Sequence, residues 1–136
     1  MIKGVLLCVD DEVIVLHALK DQLRRAFGSQ HTIEIAESAE EGLEILDELS
    51  GDGFSPLVII SDWLMPGMKG DEFLIEARKI YPDVLMIMLS GQADEDAVAR
   101  VRQQAGLSDF IAKPWDANEI IRCVNKGLIQ CSESGS

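Results

Sequence analysis

The most constraining feature of the chain is a short apolar run, Leu57–Ile60, that stops abruptly before Asp62 and a turn containing Pro66 and Gly70. A continuous apolar run of this length between turn residues is typical of a strand that is buried on both faces. Such strands occur in parallel sheets that helices cover on both sides. Asp62 would then lie at the carboxyl end of a central strand, where open α/β sheets bind their ligands.

Strand and helix patterns alternate along the rest of the chain. Further runs predict strands at Gly4–Val9, Thr32–Ala36, Val84–Leu89 and Asp109–Ala112. Between these runs apolar residues recur every three or four positions, which predicts amphipathic helices. This order predicts one α/β domain with a parallel sheet, right-handed crossovers and helices on both faces. Because Thr32–Ala36 alternates polar and apolar residues, we expect that strand near an edge of the sheet.

Composition narrows the class of protein. A chain of 136 residues with 47% hydrophobic residues suits one compact domain with a core. The formal net charge of -12 argues against direct binding of nucleic acid, which requires clustered Lys and Arg. The longest apolar runs are strand-sized and no signal peptide is indicated, so we expect a cytoplasmic protein without a membrane span. Cys8, Cys123 and Cys131 have no close paired spacing, so neither a disulfide framework nor a zinc site is indicated.

Two segments near the end of the chain are predicted to be weakly held. Asp94–Gln104 has a helical pattern but few apolar side chains for a core, so we expect low local stability there. The last helix is capped by Asp116, and Gly127 weakens its end, so we expect it to end near Leu128. Because residues 131–136 are small and polar, we predict a frayed tail or the stub of a linker at residues 129–136, after a domain that spans residues 1–128.

Polar side chains follow four of the five predicted strands. They are Asp10 and Asp11 after the first strand, Asp62 after the third, Ser90 after the fourth and Lys113 after the fifth. In a parallel sheet all these strand ends lie on one edge. The sequence therefore predicts that three carboxylates, a hydroxyl and an ammonium group converge.

This set of groups suits phosphoryl transfer. Neighbouring carboxylates repel one another and need a cation, and hard oxygen ligands suit Mg²⁺, with Mn²⁺ as the alternative. Lys113 could neutralise a phosphate oxygen, and the Ser90 hydroxyl could donate a hydrogen bond to another. Asp62 is then predicted to be a carboxylate nucleophile that forms an aspartyl phosphate.

The ordered motifs resemble the receiver domain of two-component response regulators. The motifs are Asp10-Asp11, Asp62-x-x-Met65-Pro66 with Gly70, Ser90-Gly91, and Lys113-Pro114. The resemblance extends from Lys3 to about Leu128. It implies a flavodoxin-like, doubly wound five-stranded parallel sheet in the order 2-1-3-4-5. It also implies a phosphorylation-activated signalling switch, not a metabolic enzyme, that takes a phosphoryl group from a histidine kinase or phosphotransfer protein.

The resemblance also assigns roles to individual residues. Asp62 would be the phosphoacceptor, and Ser90 and Lys113 would bind the phosphoryl group. Asp11, Asp62 and the backbone carbonyl of Leu64 would be Mg²⁺ ligands, with Asp10 acting through water. The Lys113-Pro114 peptide bond is expected to be cis.

The family's switch implies a change at one surface. Ser90 would be drawn to the phosphate and the aromatic ring of Phe110 would turn inward, repacking the face made by the fourth helix, fifth strand and fifth helix. That face would then form a homodimer or dock a partner or effector domain. Leu64 and Gln92 occupy positions where family members tune the approach of the hydrolytic water. Because an apolar Leu64 cannot orient that water, we predict slow self-dephosphorylation.

Several alternatives stay open at this point. The phrase Lys113-Pro114-Trp115-Asp116 resembles receivers joined to cyclic-di-GMP phosphodiesterase modules of the HD-GYP type or to hybrid kinases. A degenerate receiver that acts without phosphorylation is another alternative. A haloacid-dehalogenase-type phosphatase would need a second carboxylate where Leu64 stands. A flavin-binding flavodoxin-like protein would need a phosphate-binding loop after Val9, which the sequence does not show.

Overall fold

A computed structural model describes residues 4–53, 56–63, 65–91, 95–104 and 106–134. Within these residues strands and helices alternate strictly. The strands are β1 (Val5–Val9), β2 (Thr32–Ala36), β3 (Pro56–Asp62), β4 (Leu85–Ser90) and β5 (Asp109–Ala112). The helices are α1 (Val13–Phe27), α2 (Ala39–Gly51), α3 (Gly70–Ile80), α4 (Glu95–Gln104) and α5 (Ala117–Ser134).

The strands form one parallel sheet in the order β2-β1-β3-β4-β5. This confirms the predicted flavodoxin-like topology. Strand β2 lies at an edge, as its alternating pattern predicted, and its Thr32 and Glu34 are exposed. By contrast, every residue of β1 is buried, because this strand has neighbours on both sides and helices on both faces.

Helices cover both faces of the sheet and bury a hydrophobic cluster on each. Successive residues of β3 point to opposite faces, so Ile59 packs in one cluster and Ile60 in the other. The first cluster also contains Phe73 of α3 and Val101 of α4, whereas the second contains Leu16 of α1. The predicted arrangement of helices on both faces is therefore confirmed.

Helix α4 has few apolar side chains in the core, as the sequence predicted. Val101 is completely buried and Val98 is half-buried. The remaining side chains of α4 that the structure describes are exposed. The low local stability expected for this segment stays a prediction.

The end of α5 differs from the prediction. The helix continues to Ser134, so the expectation that it ends near Leu128 is wrong. Gly127 does not terminate the helix. Instead, it lets α5 approach β4 closely, since a Cβ atom at this position would overlap the side chain of Leu85. Whether residues 129–136 lead to a further domain stays a prediction.

Candidate functional site

The carboxyl ends of β1 and β3 bring three aspartates together. Asp10 directly follows β1 and Asp62 ends β3; both are buried, whereas Asp11 is exposed. One carboxylate oxygen from each of the three lies within 4.8 Å of the other two. The two strands are parallel neighbours, so their ends meet at one edge of the sheet. The predicted convergence of the carboxylates is confirmed.

Lys113 reaches along this edge from the end of β5 and contacts two of the three aspartates. Its Nζ lies 2.8 Å from Asp10 Oδ2 and 3.1 Å from Asp62 Oδ1. The Lys113 backbone N–H donates to the Ser90 carbonyl at 2.9 Å, which ties the start of this loop to β4. The Lys113-Pro114 peptide bond is cis, as the resemblance implied.

The electrostatics of the pocket favour a cation. Burial raises the pKa of Asp62 to about 6, and the charges of Asp10 and Asp11 add to this rise while Lys113 opposes it. Burial alone would lower the pKa of Lys113, but the hydrogen bond and charge of Asp10, together with Asp62, raise it overall. One ammonium group therefore does not fully compensate three carboxylates, and a second positive charge would stabilise the ionised pocket.

Ser90 lies at the same edge as the aspartates. It is the last residue of β4, is buried and stands opposite Ala112 of β5 in the strand register. On the other side of β4, Leu89 stands opposite Asp62, and the Leu89 carbonyl accepts a hydrogen bond from the Trp63 N–H at 3.1 Å. The sheet thus places Ser90 between the strand that carries Asp62 and the strand that leads to Lys113.

Phe110 lies away from the pocket, on β5. Its half-buried side chain, like that of Val98, packs against the hydrophobic cluster that contains Val101 of α4. It also borders an open cavity of about 460 Å³, which residues of α4 line on the other side. Leu64 and Gln92 lie outside the described residues.

Gly70 fixes the loop after Asp62. Its N–H donates to the Trp63 carbonyl at 2.8 Å, and a Cβ atom here would overlap the carbonyl oxygen of Asp62. The first turn of α3 therefore lies directly against the backbone of the proposed phosphoacceptor. The resemblance included Gly70 as a motif residue, but it did not give this steric reason.

Sequence reasoning missed other residues around the pocket. Glu12 Oε1 lies 3.8 Å from Lys113 Nζ, a contact that the acidic run at the end of β1 could have indicated. The indole N–H of Trp115 donates to Gln22 Oε1 at 2.7 Å and ties the loop after Lys113 to α1. No local pattern could have indicated this second contact, because the two residues are 93 positions apart.

The donor set fits a hard divalent cation. Asp10, Asp11 and Asp62 supply carboxylate oxygens in one cluster, and carboxylate oxygen is the protein ligand that Mg²⁺ prefers.

No helix in the described parts of the chain is long and apolar enough to cross a bilayer.

A parallel sheet in this order with an acidic pocket at its carboxyl edge defines the class of CheY-like, flavodoxin-fold domains. A solved receiver domain protein (CheY-like) from Methanospirillum hungatei has a TM-score of 0.85 and 25% identity, covering 98% of this chain and 99% of its own. The protein-family model described as "Response regulator receiver domain" matches residues 6–125 of this chain. The chain belongs to the response regulator receiver domain family.

Curated relatives include longer proteins. The hydrogenase transcriptional regulatory protein HoxA of Cupriavidus necator is 34% identical over 128 residues, which cover 93% of this chain and 24% of HoxA. The sensor kinase CckA of Brucella abortus is 33% identical over 124 residues, which cover 91% of this chain and 12% of CckA. The chain therefore spans about a quarter or less of the length of these two relatives. Receiver domains are signalling switches of two-component systems, and they generally bind Mg²⁺ at an acidic pocket such as this one.

Proposed function

We propose that this chain is a switch that accepts a phosphoryl group on Asp62 from the phosphohistidine of a histidine kinase or phosphotransfer protein. The observation that supports this most strongly is the contact of Lys113 Nζ with both Asp10 and Asp62 at the shared edge of the sheet. It puts a fixed positive charge beside the proposed nucleophile, as phosphoryl transfer requires.

In the proposed reaction an oxygen of Asp62 attacks the phosphorus atom. The new P–O bond forms as the P–N bond of the donor phosphohistidine breaks, and the leaving imidazole keeps the electron pair. Asp62 must be ionised to attack, so a pKa of about 6 leaves the nucleophile mostly available at neutral pH. Lys113 stabilises the charge on one phosphoryl oxygen, and the Ser90 hydroxyl donates a hydrogen bond to another.

A bound Mg²⁺ would neutralise the carboxylates and withdraw charge from the phosphoryl oxygens. Its proposed ligands are Asp11, Asp62 and the backbone carbonyl of Leu64, with Asp10 holding it through water. The chain's own part is to keep the carboxylate oxygens close together and to hold Lys113 Nζ beside Asp62.

The proposed output is a change in the surface formed by α4, β5 and α5. Ser90 begins the connection from β4 to α4, and Phe110 borders the cavity between β5 and α4. Both residues therefore lie on the route of a change that passes from the pocket to this surface. We propose that this surface forms a homodimer or docks a partner in the cytoplasm. The names of HoxA and CckA favour an attached regulatory or kinase module over an isolated domain. The alternative proposal, an attached cyclic-di-GMP phosphodiesterase module, is supported only by the resemblance of Lys113-Pro114-Trp115-Asp116 to such receivers.

The test is intact-mass spectrometry after incubation with Mg²⁺ and acetyl phosphate. We expect one added phosphoryl group in the wild type and none in Asp62→Asn or in protein treated with EDTA. Asp52→Asn is the matched control, because it makes the same change at an exposed position at the end of α2. If the wild type gains no phosphoryl group, the remaining interpretation is a degenerate receiver that acts only through protein contacts. Turnover of a generic phosphate ester would instead favour a phosphatase.

A further inference from the structure

Asp71 is a buried charge that the proposed chemistry does not use. It is the second residue of α3, is completely buried, and forms an ion pair with Arg100 of α4. Apart from that guanidinium, no hydrogen-bond donor within the described ranges contacts either Asp71 oxygen. A buried carboxylate with a single cationic partner depends strongly on it, because losing the partner leaves an uncompensated charge in the interior.

The position of Asp71 connects it to the phosphorylation pocket. Its neighbour Gly70 donates a hydrogen bond to the Trp63 carbonyl and lies against the Asp62 carbonyl oxygen without room for a Cβ atom. The first turn of α3 thus cannot shift without moving the backbone that carries Asp62. Asp71 belongs to that turn, so its carboxylate is held at a fixed place relative to Asp62.

The other partner lies on a helix with few other anchors. In the parts of α4 that the structure describes, Val101 is the only completely buried side chain and Val98 is half-buried. Arg100 itself is 49% exposed, so its ion pair extends from the surface of α4 into the interior at α3. The ion pair is therefore one of the few links between the described part of α4 and the interior.

We propose that Asp71 is a positioning residue that, through Arg100, couples the position of α4 to the backbone around Asp62. This inference rests on the proposed function, since it concerns how phosphorylation of Asp62 reaches the α4 surface. The direct consequence is reciprocal: loosening α4 must also change how tightly the pocket holds a phosphoryl group, because two coupled sites influence each other's binding equally.

The test compares Arg100→Met with Arg102→Met. Arg102 is an exposed arginine on the same helix, so the control removes the same charge from α4 without touching Asp71. Hydrogen–deuterium exchange of residues 95–104 reports on α4, and titration with beryllium fluoride in Mg²⁺ reports on the pocket. Beryllium fluoride is an unreactive analogue of the phosphoryl group.

We expect exchange in α4 to rise by about tenfold or more in Arg100→Met and to change little in Arg102→Met. The affinity for beryllium fluoride should change by about fivefold or more in Arg100→Met, in line with typical coupling between sites. Arg100→Lys keeps the positive charge and should restore much of both values. If Arg100→Met fails to fold, the double variant Asp71→Asn with Arg100→Met removes the buried charge as well. This double variant should fold, with α4 and the pocket uncoupled.

Two results would overturn the inference. Exchange in α4 that is the same in Arg100→Met and Arg102→Met would show that the ion pair does not hold the helix. Faster exchange with an unchanged affinity for beryllium fluoride would show a purely structural role. Failure of the proposed function gives a different result: the wild-type protein gains no phosphoryl group from acetyl phosphate.

Discussion

Lys113 Nζ lies 2.8 Å from the Oδ2 atom of the buried Asp10, closer than to Asp62. The ammonium group is thus held in the pocket by a residue other than the proposed nucleophile. It does not have to be brought in when a phosphoryl group arrives, and this preorganisation is what makes electrostatic stabilisation effective.

Replacing Lys113 should slow phosphorylation. In Lys113→Met the phosphoryl oxygens lose a positive charge, so we expect the rate with acetyl phosphate to fall by about 10- to 100-fold. The rate is measured by intact mass against time at fixed Mg²⁺. Lys79→Met is the control, because Lys79 is exposed and pairs only with Glu76 among the described ion pairs. A rate within about twofold of the wild type would contradict the role given to Lys113.

Replacing Asp62 should stabilise the metal-free protein. Because the pKa of Asp62 is raised from 3.8 to about 6, the folded protein holds its proton more tightly than the unfolded chain does. Stability without metal should therefore fall as the pH rises from about 4 to about 6. Asp62→Asn removes this penalty, so we expect it to gain about 1–3 kcal/mol at about pH 7 in EDTA.

Urea unfolding of the wild type and Asp62→Asn across this pH range measures the effect. Mg²⁺ should stabilise the wild type more than the variant, since the variant lacks one carboxylate of the pocket. A variant less stable than the wild type in EDTA at neutral pH would contradict the prediction.

His31 should make stability depend on pH in the opposite direction. Its Nδ1 accepts a hydrogen bond from the Gly4 N–H at 3.1 Å, which requires the neutral ring, and burial lowers the pKa of His31 below its ordinary 6.5. This contribution is complete above pH 6.5 and is lost as the pH falls through the lower folded value. In His31→Phe the Gly4 N–H loses its partner, at a cost of about 1–2 kcal/mol at about pH 8.

The stability difference between the wild type and His31→Phe should shrink below pH 6.5. Urea unfolding at several pH values shows this directly. His17→Phe is the control, because His17 is exposed. A difference that stays constant with pH would show that protonation of His31 does not weaken the fold.

A methyl group at Gly70 should disturb both stability and the pocket. In Gly70→Ala the Cβ atom would overlap the Asp62 carbonyl oxygen, so we expect a loss of about 1–3 kcal/mol and slower phosphorylation. Gly51→Ala is the matched control, since a Cβ atom there meets nothing within 4 Å. The control should match or exceed wild-type stability in thermal unfolding. Equal behaviour of the two variants would rule out the steric role of Gly70.

The phosphorylated state should be long-lived. An apolar side chain at Leu64 cannot orient a hydrolytic water, so decay of the Asp62 phosphate should be slow and Leu64→Asn should accelerate it. Intact mass at intervals after removal of acetyl phosphate measures the decay. Leu43→Asn, on α2, makes the same chemical change away from the pocket and should not accelerate it. A wild-type half-life of seconds would contradict this prediction.

The sequence predicted the sheet and the members of the pocket because both depend on local patterns. Apolar runs of strand length place Asp10, Asp62 and Lys113 at strand ends, and parallel pairing then brings those ends to one edge. The order of the strands came from the resemblance, and the structure confirms it.

What the sequence could not predict depends on side chains that are distant along the chain. No pattern along α3 or α4 indicates that Asp71 is buried or that Arg100 reaches it. Gly127 was expected to weaken the end of the last helix, and only the place of the Leu85 side chain, which a Cβ atom at position 127 would overlap, shows that it permits close packing.

The strand order also places the pocket where two connections of the chain diverge. After β1 the chain turns through α1 towards β2, whereas after β3 it turns through α3 towards β4. These two connections leave the gap between Asp10 and Asp62 in opposite directions and on opposite faces of the sheet. Open α/β sheets bind their ligands in the crevice at such a divergence, so a ligand held here would contact residues from both halves of the sheet.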